Sequence, residues 1–259
     1  MKLTESRASR TSAQGRRLGA EWAPRACTPS VPGGAAVRAE SMLTGVADQY
    51  GVPGAPVLVM GAERVREFAA EALAPQAITA SVRMESRTEQ GRVLGLVLVA
   101  GTRAVVAVER SLSDPDDLSV ELTGEVAVAK LPTAALPMLW LRWAGPLHTA
   151  EGKAGVVEDA AALDRRVGDA SEPVPAEAPG LASMWAGPWR EWSLRDESRD
   201  AWLRYVSVPG HGVYVERPVK GAGAVEFAPR PGGLVWGDIV RAYCALEPVR
   251  ATSGNEAHW

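Results

Sequence analysis

Histidine, cysteine and phenylalanine are scarce: the 259 residues include 3 His, 2 Cys and 2 Phe. Cys27 and Cys244 are too few for a disulfide framework and read as two free thiols in a reducing compartment. His148, His211 and His258 stand far apart with no partner at metal-ligand spacing, so no zinc site is expected. His211, in "PGHG", reads as a turn residue. The chain has no G-x-S-x-G elbow, no P-loop and no G-x-G-x-x-G after a strand, and "GAGAVEF" reads as a glycine hairpin. These gaps lead to the expectation of a non-enzyme without catalytic residues, metal or cofactor. No segment approaches the ~20 consecutive apolar residues that span a bilayer, and the arginines near the N-terminus precede no apolar signal core. The formal charge is −3 with both signs interspersed, which points to neither a nucleic acid nor an anionic membrane surface. A cytoplasmic protein without membrane insertion is therefore expected.

Hydrophobic residues make up 46% of the chain, enough to bury a real core. Their arrangement contains an echo. "LVLVAGTRAVVAVER" (96–110) and "YVSVPGHGVYVER" (205–217) each run apolar residues into a glycine turn, return through valines and close on Val-Glu-Arg. Around the first copy, Ser81–Ser86, Arg92–Val99 and Ala104–Glu109 read as strands, and the alternation of Leu118, Val120 and Leu122 predicts a fourth. "GEVAVAKLPTAALP" (124–137) is expected to be a short or kinked helix ending near Leu136, with Pro132 as its breaker. Around the second copy, Glu191–Arg195, Trp202–Val208, Val213–Glu216 and Ala224–Ala228 read as strands. The helix "LVWGDIVRAYCALEP" follows, with Val235, Ile239, Tyr243 and Leu246 on its core stripe.

Ahead of the first copy, Val57–Met60 is a short apolar run. Val65, Phe68, Ala69, Ala72 and Leu73 then form one helical stripe, stopped by Pro75. Each copy thus reads as four strands and a helix. A meander of this kind needs a covering layer, and two copies can share one core. The expected fold class is α+β: two pseudo-symmetric halves of mostly antiparallel β-sheet with flanking helices. The expected layout is a disordered basic tail over 1–41, a first half over 42–145, a linker with a short helix over 146–183, a second half over 184–250 and a tail over 251–259. The linker helix lies in "GVVEDAAALDRRVG" and would use Val156, Ala160, Leu163 and Val167.

Tryptophan is the unusual abundance, with 9 against 4 Tyr. Trp140, Trp143, Trp185, Trp189 and Trp192 bracket the linker, and "WLRWAGP" and "MWAGPWREW" repeat a Trp-Ala-Gly-Pro unit. These indoles either fill the core and pin the linker, or form a binding surface of the Trp- and Arg-rich kind that anchors interfaces. In the second case the surface is expected near residues 185–202, built on Trp185, Trp189, Trp192 and Arg195. The polar turns "DPDD" (114–117) and "DESRD" (196–200) would reach out as exposed loops.

The segments "GVPGAPVLVMGAERVREFAAEALA", "SVRMESRTEQGRVLGLVLVAGTRAVVAVE" with "LSVEL", "WLRYVSVPGHGVYVERP" and "VEFAPRPGGLVWGDIVRAYCAL" cover about half the chain. In their order they resemble the EspG family, cytosolic chaperones associated with type VII secretion in actinobacteria. The resemblance implies two pseudo-symmetric halves around a central antiparallel sheet and no catalytic site. It also implies a protein client, a secreted helical substrate of the PE–PPE type. Two other readings stay open. One is a structural subunit of a larger assembly. The other is a small-ligand binder or enzyme with a loop-built site, drawing on Arg83, Arg87, Arg92, Arg103 and Arg204 with Asp196 or Glu197.

Overall fold

The computed structural model describes residues 35–50, 56–114, 121–147, 153–197, 201–219 and 224–246. All of them belong to one unit, Pro32–Trp259. The elements run α1 (Ala35–Gln49), β1 (Leu58–Gly61), α2 (Val65–Leu73), β2 (Ala80–Thr88), β3 (Gly91–Ala100), β4 (Arg103–Glu109), β5 (Glu125–Pro132) and α3 (Leu136–Ala144). They continue with β6 (Gly155–Val157), α4 (Ala161–Gly168), α5 (Ala182–Trp185), β7 (Arg190–Asp196), β8 (Ala201–Val208), β9 (Gly212–Pro218), β10 (Val225–Pro229) and α6 (Gly232–Leu246).

The strands form one ten-stranded sheet in the order β1-β5-β4-β3-β2-β7-β8-β9-β10-β6, each neighbour antiparallel. With its six flanking helices this is an α+β fold. The order is the same read outward from the middle in either direction: a four-strand meander, then a strand from earlier in the chain at the edge. Met84 pairs with Gly95, and 109 residues later Ser193 pairs with Arg204. At the centre Met84 faces Leu194 and Glu85 faces Ser193. The two halves therefore meet about a pseudo-two-fold axis that passes between these pairs. The echo in the sequence is the β3–β4 hairpin and its counterpart β8–β9. Both need a left-handed residue at the turn, and glycine supplies it: Gly101 at φ +56° and Gly210 at φ +79°.

Burial follows the strand patterns. In β3 and β4, apolar residues run almost without interruption and are buried on both faces, because helices cover both sides. In β2 and β7 the alternation is sharper. Val82, Met84, Trp192 and Leu194 point to the front face, under α1, α3 and α6. Ser81, Arg83, Glu85, Arg87, Glu191, Ser193 and Arg195 occupy the alternate, back-facing positions. On the back, α2 packs with Leu96, Leu98, Val105, Ala107, Val126 and Val128, while α4 and α5 pack with Val206, Val208, Tyr214 and Phe227. A polar band along β2 and β7 separates these two back-face cores.

Three expectations change. First, 125–132 is a strand, and the helix begins where it was expected to end. Val126–Ala129 is buried on both faces between β4 and β1, which favours the strand. Pro132 closes the strand, and Pro137 sits in the first turn of α3, where its missing N–H has no helical partner to lose. Of the strand expected over 118–122, residues 118–120 lie outside the described residues, and Leu122 lies in a loop against the α2 core. Second, residues 146–183 do more than link. They supply edge strand β6, α4 and the start of α5, and Val157, Leu163, Val167 and Leu181 enter the back-face core. Val156, expected on a helix, is an exposed residue of β6. Third, α1 begins at Ala35, and its Ala39, Leu43, Val46 and Ala47 are buried in the front core. Of the tail expected over 1–41, residues 1–34 lie outside the described residues, as does the whole of the tail expected over 251–259.

Because Met84 sits at the seam, fully buried and against Gly95, its truncation loads both halves. Met84→Ala is expected to lower stability by ~2–5 kcal/mol. Urea unfolding should remain one transition, coincident by far-UV circular dichroism and tryptophan fluorescence. Two separated transitions would show that the halves fold independently.

Candidate functional site

The structure places the expected tryptophan surface inside the protein. Trp185 is 2% exposed, Trp189 3% and Trp192 0%. Trp189 stacks on Phe227 at 5.3 Å, meets Trp185 edge-on at 4.9 Å and carries the Arg166 guanidinium at 5.3 Å from its ring. Trp192, on the opposite face of the sheet, stacks on Tyr205 at 4.8 Å. Each of the three indole N–H groups donates a hydrogen bond: Trp185 to the Glu172 carbonyl at 2.8 Å, Trp189 to the Met184 carbonyl at 3.0 Å and Trp192 to Ser207 Oγ at 3.1 Å. Buried Arg166 holds the Trp185 and Gly187 carbonyls at 2.8 and 2.6 Å. On the back face Trp185 and Trp189, with Arg166, dock α4 and α5 against the sheet. The expectation of a partner surface on Trp185, Trp189 and Trp192 is thereby corrected to core, and of that set only Arg195 is exposed.

Of the five arginines considered for a loop-built site, Arg103 is half-buried at the start of β4, and the other four are spoken for. Arg83 pairs with Glu197, Arg92 with Glu85 at 3.0 Å, and Arg87 with Glu191 at 3.5 Å. Arg204 binds Glu191 and Asp164 and lies 3.5 Å from Glu216. Burial opposes the Arg204 charge, but these carboxylates outweigh it and raise its pKa. Burial pushes the Glu216 carboxyl up, against the pull of Arg204. The polar band is thus a run of cross-strand ion pairs that ties α4 to the sheet through Asp164. Asp196, by contrast, lies on the front face, away from these arginines. The two Val-Glu-Arg ends of the echo diverge here: Glu216 joins the band, whereas buried Glu109 accepts from the Leu94 and Thr123 amides at 2.8 and 2.9 Å.

The apolar surface that sequence reading missed is on α6. Val235, Ile239 and Leu246 are buried, as the core stripe predicted. The outer side is apolar as well. Trp236 is 37% exposed and Leu234 50%, while Val240 is half-buried and Cys244 exposed. Trp236, Val240 and Cys244 recur every fourth residue and share one face. The signal was present in "LVWGDIVRAYCAL", which is apolar around most of its circumference and not along one stripe. Below this face, buried Asp238 accepts from Tyr205 Oη and from Arg230 Nε and Nη2 at 3.1 and 2.7 Å, and pairs with Arg241. Burial pushes the Asp238 carboxyl up, but the hydrogen bonds from Tyr205 and Arg230 and the charges of Arg230 and Arg241 outweigh it and leave the pKa lowered. Burial and the same hydrogen bond push the Tyr205 phenol up.

Among the described residues, no group of three or more His, Cys, Asp or Glu is placed to hold a metal ion, and no helix is long and apolar enough to cross a membrane. No family model matches the chain, and no curated protein matches it. A solved structure of the type VII secretion system chaperone EspG5 from Mycobacterium tuberculosis, in complex with a PE25–PPE41 dimer, is similar at 11% identity. The match covers 67% of this chain and 75% of that one, with a TM-score of 0.37.

Trp189→Ala is expected to reduce folding stability by ~3–5 kcal/mol in urea titrations, the range for a large aromatic deleted from a core. A loss under 1 kcal/mol would return this indole to the surface. The Asp238 hub gives a pH signature. Its contribution is full above about pH 4, the unfolded Asp value, and is lost as pH falls through the lower folded value. Tyr205 contributes below about pH 10 and ceases to do so as pH rises toward its raised folded value. Asp238→Asn is expected to cost about 3 kcal/mol at neutral pH and to shrink the acid-side loss, read from thermal melts across pH.

Proposed function

We propose that this chain is a non-enzymatic protein-binding chaperone or adaptor whose clients are secreted helical proteins of the PE–PPE type, carried by a type VII secretion system. The observation that carries the reading is the outer face of α6. A protein that buries five tryptophans, Trp140, Trp143, Trp185, Trp189 and Trp192, leaves Trp236 more than a third exposed on the face it shares with half-buried Val240 and exposed Cys244, and leaves Leu234 half exposed on the flank of the same helix. Exposed aromatic and aliphatic side chains grouped on one helix are what an interface anchor requires. A helical client could lay an apolar stripe along Trp236, Val240 and Cys244, with Gly233 and Gly237 permitting close approach. The client class comes from the resemblance of the hairpins and the last helix to the EspG family.

Co-expression tests the reading. A PE–PPE-type pair from the same genome is expected to be soluble and to co-purify only when this chain is present. The double variant Leu234→Ser/Trp236→Ser, which removes exposed groups, should keep the parental melting temperature. Its affinity should fall at least thirtyfold by calorimetry, about 2 kcal/mol, as for loss of a central anchor. A substrate soluble alone, or bound equally by the double variant, would refute the assignment. Concentration-dependent self-association that the double variant abolishes would favour the structural-subunit reading.

A further inference from the structure

A pocket of about 250 Å³ lies beneath α6, walled by Val82 of β2, Trp140 of α3, Leu194 of β7, Leu203 of β8, and Ala242, Ala245 and Leu246 of α6. Asp196, Asp238 and Arg241 supply its polar edge. The wall is otherwise hydrocarbon and aromatic ring. A dry apolar cavity of roughly 150 Å³ admits a benzene molecule. This pocket therefore has room for one ring with a short substituent.

Trp140 makes the pocket more than a packing gap. It is 1% exposed, and its Nε1 is buried without an acceptor. The other four buried indoles all donate: Trp143 to the Glu85 carbonyl at 3.1 Å, and Trp185, Trp189 and Trp192 as described above. A buried unmatched donor is unfavourable, and native proteins rarely keep one without a reason. Tyr214 Oη and Arg87 Nε are also buried without an acceptor, but Trp140 is the one of these residues that lines the pocket. The mouth bears on the charge of an occupant. Asp238 is held by Arg230, Arg241 and Tyr205, and Asp196 adds a second carboxylate at the edge. The edge carries both signs, with the Asp196 and Asp238 carboxylates against the Arg230 and Arg241 guanidiniums, but an ion of either sign would lose its hydration against the hydrocarbon wall, so a neutral molecule is favoured.

We propose that this pocket binds a small, neutral, single-ring molecule with one hydrogen-bond acceptor, and that the acceptor pairs with Trp140 Nε1. The site lies on the inner side of α6, opposite the face assigned to a protein client, and does not depend on that assignment.

Three near-isosteric probes test it on the full chain: acetophenone, which has a neutral acceptor; cumene, which has none; and benzoate, which is charged. With tryptophan indoles labelled with nitrogen-15, the Trp140 Nε1–H resonance is identified by its absence in Trp140→Phe. Acetophenone is expected to shift that resonance saturably, to bind about fivefold more tightly than cumene, the worth of one net hydrogen bond, and to exceed benzoate by more. In Trp140→Phe the preference over cumene should vanish while cumene binding persists. Ala245→Leu should fill the pocket and abolish binding of both neutral probes with the other indole resonances unmoved. If that variant does not fold, Ala242→Met serves the same purpose. Equal binding of acetophenone and cumene, no saturable shift at Trp140, or undiminished binding in the filled variant would each overturn the proposal.

Discussion

The pairing of β2 with β7 is the contact on which the rest depends. It runs from Val82↔Asp196 to Arg87↔Glu191 and is the ladder that turns two meanders into one sheet. A lone meander with a single covering helix buries little apolar area. Joined at this seam, the halves share a continuous front core in which α3 and α6 pack together, and neither leaves an inner strand edge exposed. The seam also dictates sidedness. One face of β2 and β7 must be apolar to join the front core, so their alternate residues form the polar band on the back.

That band and the tryptophans meet the same need in different chemistry. On the back of the seam, ion pairs among Arg83, Arg87, Arg92, Arg204 and their carboxylates balance the charges of the central strands, with Asp164 of α4 joining them. Where α4 and α5 do cover the sheet, they are short, and large rings give them enough buried area to stay docked. The Trp-Ala-Gly-Pro units fall at comparable places, across the C-terminal ends of α3 and α5. In both, indole N–H groups tie the segment to carbonyls, of Glu85 in one case and of Met184 and Glu172 in the other.

Helix α6 has two apolar faces with different fates. The inner one holds Val235 and Ile239 in the core and roofs the pocket beside Trp140, while the Asp238 hub fixes it to β8 and to Arg230 after β10. The outer one keeps Trp236 in solvent, with Val240 and Cys244 on the same face. A rigidly anchored helix is a suitable platform for binding, since little conformational entropy remains to be lost when a partner docks.

Much of the fold was legible in the sequence. Alternation and apolar runs located most of the strands, the stripe from Val65 to Leu73 located α2, and the Gly101 and Gly210 turns marked a duplicated hairpin, because these signals are local. Residues 125–132 misled because a buried strand and a buried helix show the same unbroken apolarity, and only the β1 and β4 neighbours decide between them. The tryptophans were legible as important but not as core or surface. An indole serves equally well in either place, and its burial depends on Phe227 or Tyr205, which lie well away in sequence. For α6 the sequence determined that both sides are apolar. The core stripe of Val235, Ile239 and Leu246 was legible as well, and the tertiary structure alone decided that Trp236 is left in water, because that depends on which elements come to lie around the helix.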